Sequence, residues 1–269
     1  MNPTARCLYP LLFVIVAAAG GYWLWQKYRE PPVLPPVTPA AQPAAPAASA
    51  PPAIQHPIEE ASGESKEAPL PGLSESDPAF RDSLATVIAK ASLDQYFLLD
   101  GGVRRVVATV DALPRKYLPQ RVIPVKPVPG QFTTTGQAEG LLIARENAAR
   151  YAPYVKLAES IDTKKLVAVY VKFYPLFQQA YAELGYPNGY FNDRLVAAID
   201  DMLAAPEAPD PTPLTQPKVL YAYADPDLEA LSAGQKVMLR MGNENAARVK
   251  AKLRDLRRAL TAKSAQPSP

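Results

Sequence analysis

The sequence predicts a mainly α-helical domain with a small antiparallel β-hairpin or three-stranded sheet, carried behind a single-pass N-terminal transmembrane helix. Three observations predict it. An uncharged apolar run opens the chain, a proline- and alanine-rich stretch follows, and from residue 73 onward apolar residues recur mainly at helical spacing. Setting the first two stretches aside leaves roughly 190 residues, enough for one well-buried core. The organisation expected is an anchor over residues 1–30, a disordered tether over 31–72, a globular domain over 73–262 and a disordered tail over 263–269.

CLYPLLFVIVAAAGGYWLW, residues 7–25, carries no charge. It matches the ~20 residues that an α-helix needs to cross a bilayer. Trp23, Trp25 and Tyr28 sit where an aromatic belt would lie, with Lys27 and Arg29 beside them. Ala17–Ala19 before Gly20 also fits signal-peptide cleavage, but the apolar run continues well past that point. The preferred reading is an uncleaved anchor touching the membrane over residues 8–26. From Pro31 to Gly72, twelve of 42 residues are proline and large apolar groups are scarce. Such a segment cannot bury a core and stays extended. At ~3.1 Å per residue its reach is at most on the order of 130 Å. A stiff spacer behind an anchor fits an envelope protein whose C-terminal domain clears the outer side of the membrane. His56 lies in this tether and reads as inert.

The only cysteine is Cys7 and the only histidine is His56. Neither falls within 73–262, so a Cys/His metal site, a cysteine nucleophile and a histidine-based triad are excluded there. No phosphate-binding glycine pattern occurs either. No metal, cofactor or catalytic residue is therefore assigned. The net charge of +3 gives no overall case for nucleic acid. The local balance is uneven: +5 over residues 101–130, −7 over 175–234 and +7 over 236–263. The simplest expectation is that these blocks attract one another within one fold.

Along the domain, Asp77-Pro78 predicts a helix start, with Asp77 as cap and Phe80, Leu84, Val87 and Ile88 on its inner face. GGVRRVVATVDALPR places Val103, Val106, Val107 and Val110 on one helical stripe, flanked by Arg104 and Arg105. Prolines 114, 119, 124, 127 and 129 enforce an extended loop along the surface. QFTTT and GLLIA around GQAE predict a hairpin, and KVLYAYAD at 218–225 is a candidate third strand. ENAARYAPYVKLAES predicts a helix bent or interrupted at Pro153. The last helix is expected to be capped by Asn243, with Ala246, Val249, Leu253, Leu256 and Leu260 forming a docking seam.

YVKFYPLFQQAYAELGYPNGYFNDRL, residues 170–195, is dense in aromatics. At 100° per residue, Leu166, Phe173, Tyr174, Phe177, Tyr181 and Leu184 fall within about 60° of Tyr170, so a core-facing helix bent at Pro175 is expected. Gly185 and Pro187 stop it, and Asn188-Gly189 makes a turn. Phe191, Leu195, Ile199, Met202 and Leu203 face inward on the next helix. Tyr186, Asn188, Tyr190, Asn192 and Arg194 then cluster around the turn. They suit either recognition of a polar ligand or sugar, or structural bonds to backbone. Together with Arg104 and Arg105 they are the binding candidates. Asp200 and Asp201, near a helix C-terminus, call for a cationic partner, with Arg104 or Arg105 expected first.

The motifs VRRVVATVDALPR, PVKPVPG, YVKFYPLFQQAYAELGYP, YFNDRL, PKVLYAYADPDLEALSAGQKVMLRMG and ENAARVKAKLR, in this order, resemble the family named domain of unknown function 3014. The resemblance implies a membrane-anchored bacterial envelope protein, which with the orientation above means a single pass through the inner membrane and a C-terminal domain in the periplasm; it brings no activity, ligand or catalytic residue. The function expected is a non-catalytic binding or adaptor domain acting on an envelope protein or peptidoglycan. The alternative is a cell-wall glycan hydrolase using carboxylates such as Asp193 and Asp200, with Glu183 nearby. A third reading keeps the domain in the cytoplasm, with its basic tail on nucleic acid.

Overall fold

The computed structural model describes residues 53–58, 69–137 and 140–262. By its contacts the chain divides into two units, Met1–Ala50 and Pro51–Pro269, and every described residue belongs to the second. The expected anchor, most of the expected tether and the tail after 262 lie outside the described residues. Among the described residues no helix is long and apolar enough to cross a membrane.

The domain is mainly helical, with two small antiparallel sheets. Helices α1 (Asp77–Ala85), α2 (Lys90–Tyr96) and α3 (Gly102–Ala112) come first. Strands β1 (Thr134–Thr135) and β2 (Leu142–Ile143) precede α4 (Glu146–Ser160), α5 (Thr163–Lys172), α6 (Tyr174–Glu183) and α7 (Phe191–Leu203). Strands β3 (Leu214–Thr215) and β4 (Ala222–Tyr223) lead into α8 (Pro226–Glu229), α9 (Ala233–Arg240) and α10 (Asn243–Thr261).

KVLYAYAD does supply a strand, but not a third strand for the first hairpin. Its Tyr223 and Ala222 pair with Leu214 and Thr215, whereas both residues of β2 pair with β1. The two hairpins meet instead at a single bridge, Leu142 with Pro213. Two backbone bonds flank it, Ile143 N–H to Thr212 O and Leu214 N–H to Leu141 O. Val219 and Leu220, at the start of the stretch, stand exposed.

Asp77 does not cap its own helix, whose N-cap is Ser76. Its carboxylate accepts from the N–H groups of Gly101 (2.6 Å) and Gly102 (3.0 Å), at the start of α3. A carboxylate at that end meets both orphan donors and the positive end of the helix dipole. Gly101 has φ 64°, a left-handed value that suits glycine. On α3, Val103, Val107 and Val110 are buried as the spacing predicts. The proline loop after it hugs the surface: Leu98 N–H donates to Pro124 O and Lys126 N–H to Tyr96 O.

The aromatic stretch is two helices, not one bent helix. Pro175 lacks an N–H and its ring would collide with the carbonyl four residues back, so α5 ends at Lys172 and α6 begins at Tyr174. Phe173 fills the joint and is completely buried. It meets Phe80 edge-on at 5.2 Å, and Phe177 stacks on Phe191 at 5.7 Å. Tyr170 and Tyr181 close the same cluster against Phe177 and Phe191. Leu184, at the end of the expected stripe, is exposed and lines a groove between α3 and α6. Pro153, by contrast, is carried inside α4 without ending it.

Helix α10 lies along α4, α5 and α7. Its seam divides: Ala246 and Val249 join the cluster under the second hairpin, while Leu253, Leu256 and Leu260 pack with Val196 and Ile199 of α7. Its N-cap is Gly242 rather than Asn243. The Asn243 amide instead brackets Ala208, accepting from its N–H and donating to its C=O at 2.9 Å.

Phe191→Ala is expected to lower the unfolding free energy by ~3–5 kcal/mol, because it empties the centre of the aromatic cluster. Asp77→Ala is expected to lower it by ~0.5–2 kcal/mol through loss of the distant cap. Urea titrations followed by circular dichroism measure both; equal losses would contradict the assignment of core against cap.

Candidate functional site

The turn between α6 and α7 is built by one side chain. Gln178 Nε2 donates to Gly189 O at 2.7 Å and its Oε1 accepts from Phe191 N–H at 2.9 Å, fixing the strand of chain that enters α7. Tyr174 Oη also donates to Gln178 Oε1 at 3.2 Å. Tyr186 stacks on Tyr181 with ring centres 4.7 Å apart. A Cβ on Gly189 would come within 2.8 Å of the Tyr181 ring, so glycine is needed beneath the stacked pair.

From this turn the first residues of α7 point in two directions. Tyr190, Asn192 and Asp193 face a piece of the chain's own tether that bends at Gln55 and His56. Asp193 accepts from Gln55 N–H at 3.0 Å and from His56 N–H at 2.7 Å. Asn192 Nδ2 donates to His56 O at 2.8 Å, and Tyr190 Oη accepts from Ile58 N–H at 2.6 Å. Behind them, Tyr170 Oη donates to Asn192 Oδ1 at 3.1 Å and orients the amide, which is fully buried. Burial pushes the Tyr170 hydroxyl up, with Tyr190 and Asp193 adding to it. Burial likewise pushes Tyr174 up. Both therefore stay neutral donors. Residues 53–58, expected to be free tether, are thus held on the domain, and His56 is held through its backbone.

Arg194 points the other way. Its Nε donates to Asp111 Oδ1 at 3.1 Å, and its Nη2 to the Asp111 carbonyl. Arg115 binds the same carboxylate at 2.9 Å from α3's end and also donates to Tyr186 Oη. Asp111 is buried between the two arginines. The Asp111 hydrogen bond and charge, followed by Tyr186, hold the Arg115 guanidinium above its ordinary value. This cluster fastens α3 to the turn. Two of the binding candidates, Tyr186 and Arg194, belong to it and not to the tether contact.

Residues 102–257 match the family model described as "Protein of unknown function (DUF3014)". The chain belongs to the DUF3014 family. No curated protein and no solved structure matches it. The DUF3014 segment contains Tyr190, Asn192, Asp193 and the Asp111 cluster, whereas the docked residues 55–58 fall before it. The receiving side and the received peptide are thus separate parts of the sequence.

The remaining candidates are occupied elsewhere in the DUF3014 segment. Arg104 pairs with Glu183 at 2.8 Å, and Arg105 donates to the carbonyls of Asp100 and Arg121. Both line a shallow groove of about 480 Å³ between α3 and α6. Asn188 is exposed at the tip of the turn. Asp200 pairs with Arg257, not with Arg104 or Arg105, because α10 runs alongside α7 while Arg104 and Arg105, near the start of α3, are held by Glu183 and by the carbonyls of Asp100 and Arg121. Asp201 accepts from the Ser232 hydroxyl at 2.6 Å. Lys236 with Glu229 adds a further link between the basic tail and the acidic block, so the opposed charge blocks do meet within the fold. Among the described residues no cluster of three or more metal-type ligands occurs.

Spacing could not single out Gln178 or Tyr170, because each acts on residues remote in sequence; for Asp111 it offers the i,i+4 pair with Arg115 but not the second arginine, Arg194. Asp193 did carry a signal: a carboxylate in the first turn of a helix, next to Asn192, is placed to accept backbone N–H groups.

Glu183 is held below the usual glutamate range by Arg104 first and Gln179 second. A depressed folded value contributes stability that is present above the unfolded value of ~4.3 and is lost as pH falls through the folded one. An NMR titration of the Glu183 carboxyl should therefore show a midpoint below ~4.3 that rises in Arg104→Gln; an unchanged midpoint would remove Arg104 as the cause.

Proposed function

We propose that this DUF3014 protein is a membrane-tethered, periplasm-facing, non-catalytic adaptor of the bacterial cell envelope. The observation that carries this reading is the use made of the first turn of α7. Its polar side chains hold the main chain of a short peptide segment, which is a binding task and not a chemical one. The uncharged run at 7–25 and the proline-rich stretch behind it support the tethered arrangement. The carboxylates needed for glycan hydrolysis favour the adaptor instead. Glu183 is paired with Arg104, Asp200 with Arg257, and Asp193 accepts two backbone N–H groups. A glycosidase acid needs a raised carboxyl, and Glu183 is shifted the other way. The partner that suits such a site is a protein segment of the envelope and not a sugar polymer.

Two measurements test the proposal in native membranes. Alkaline phosphatase fused after Ala262 should be active; an inactive fusion overturns the orientation. Crosslinked full-length protein should co-purify with a protein partner. Recovery of no partner, together with no retention on peptidoglycan sacculi, overturns the adaptor.

A further inference from the structure

We propose that Tyr190, Asn192 and Asp193 form a binding site for a proline-containing peptide that bends at its first two residues and is read in one register, and that residues 55–58 are its intramolecular occupant, displaced when a partner peptide binds. This rests on the adaptor reading and names the partner class and the regulation of that site.

The register follows from which backbone groups are read. Donors are taken at residues 55, 56 and 58, and one acceptor at 56. The residue from which no donor is taken is Pro57, which has none to give. A proline there costs no hydrogen bond and restricts the chain just after the bend at 55–56. A proline at the position of 55, 56 or 58 removes a bond. The fourth position is apolar: Ile58 packs against the main core cluster. The site therefore reads two residues that are not proline, then proline, then a large aliphatic residue.

That rule selects within the tether itself. Windows 37–40, 41–44 and 44–47 have the proline and the free N–H groups but end in alanine. Window 67–70 ends in leucine, but Leu70 already packs against the same core. Window 55–58, QHPI, satisfies the rule and is the one docked.

The occupant is imperfect in one respect, which makes it displaceable. His56 Nδ1 is buried without a hydrogen-bond partner. A buried polar atom left unpaired weakens the contact that buries it. A partner peptide with an aliphatic residue at this second position keeps every backbone bond and avoids that loss. The receiving side is already formed, since Tyr170 and Gln178 orient Asn192 and the turn from within the domain.

The test uses the full-length chain in detergent, with a labelled synthetic peptide AIQHPIEE (residues 53–60) and its relative AIQLPIEE as probes. In the double variant Gln55→Pro, Ile58→Pro the tether loses two of its N–H groups and the Ile58 side chain, while every residue of the receiving site is kept. That variant should bind AIQHPIEE at least about tenfold more tightly than wild type does, because the competing segment is released. AIQLPIEE should bind it more tightly still. Adding Asp193→Ala should abolish binding, with an unchanged circular dichroism spectrum. Equal binding with and without Asp193, or no binding to the opened chain, overturns the proposal. If a membrane partner is still captured by Asp193→Ala at wild-type level, the adaptor stands and this site is not its contact. If no partner is captured by wild type, the adaptor itself falls.

Discussion

The joint at Phe173 is the constraint from which the rest of this domain follows. A single long helix over 163–183 would spread its aromatic rings along one line. Pro175 forbids that, and the break turns α6 against α5 so that Tyr170, Phe173 and Phe177 converge on Phe80 and Phe191. Rings of this size bury large areas at low entropic cost, so one point of convergence can hold several helices. Helix α7 starts inside this cluster at Phe191. Its first turn is consequently rigid, and Asn192 and Asp193 inherit that rigidity as the residues immediately after the anchor ring.

The same geometry explains how the charges are divided. Asp111 ends α3 beside the turn and takes two arginines, which would otherwise lie close together and repel. A buried carboxylate between two guanidinium groups is stabilising only as a complete set, since removal of one member leaves an uncompensated charge. With Arg194 committed there, the Asp193 carboxylate has no neighbouring cation in its own helix turn and is free for main-chain N–H groups. One residue along a helix changes direction by 100°, and here that step separates a structural role from a recognition role.

Most of the fold was legible from spacing, because it is built on stripes. The valines of α3, the leucines of α10 and the two strands of the first hairpin all follow from period. What spacing could not give were the contacts made by polar side chains with remote backbone. Asp77 reads as a cap because it precedes Pro78, yet it caps α3 across the fold. Asn243 reads as a cap, yet it brackets Ala208. Asp200 calls for a cation, but which cation depends on the order in which helices pack. The binding site was half legible for the same reason. Tyr190 and Asn192 could be placed on the turn, while their occupant lay in a segment whose composition says only that it cannot form a core by itself. QHPI has too little apolar surface to fold, but enough to dock on a surface already formed.

The aromatic cluster also divides the chain by its light absorption. It is made of phenylalanine and tyrosine, and both tryptophans of the protein are at 23 and 25, in the apolar run near the start. Intrinsic emission excited at the red edge therefore comes from the N-terminal segment, while tyrosine signals report the packing around Phe191. The intact, unlabelled protein thus carries two separate optical reporters, one for the surroundings of its first thirty residues and one for the integrity of its helices.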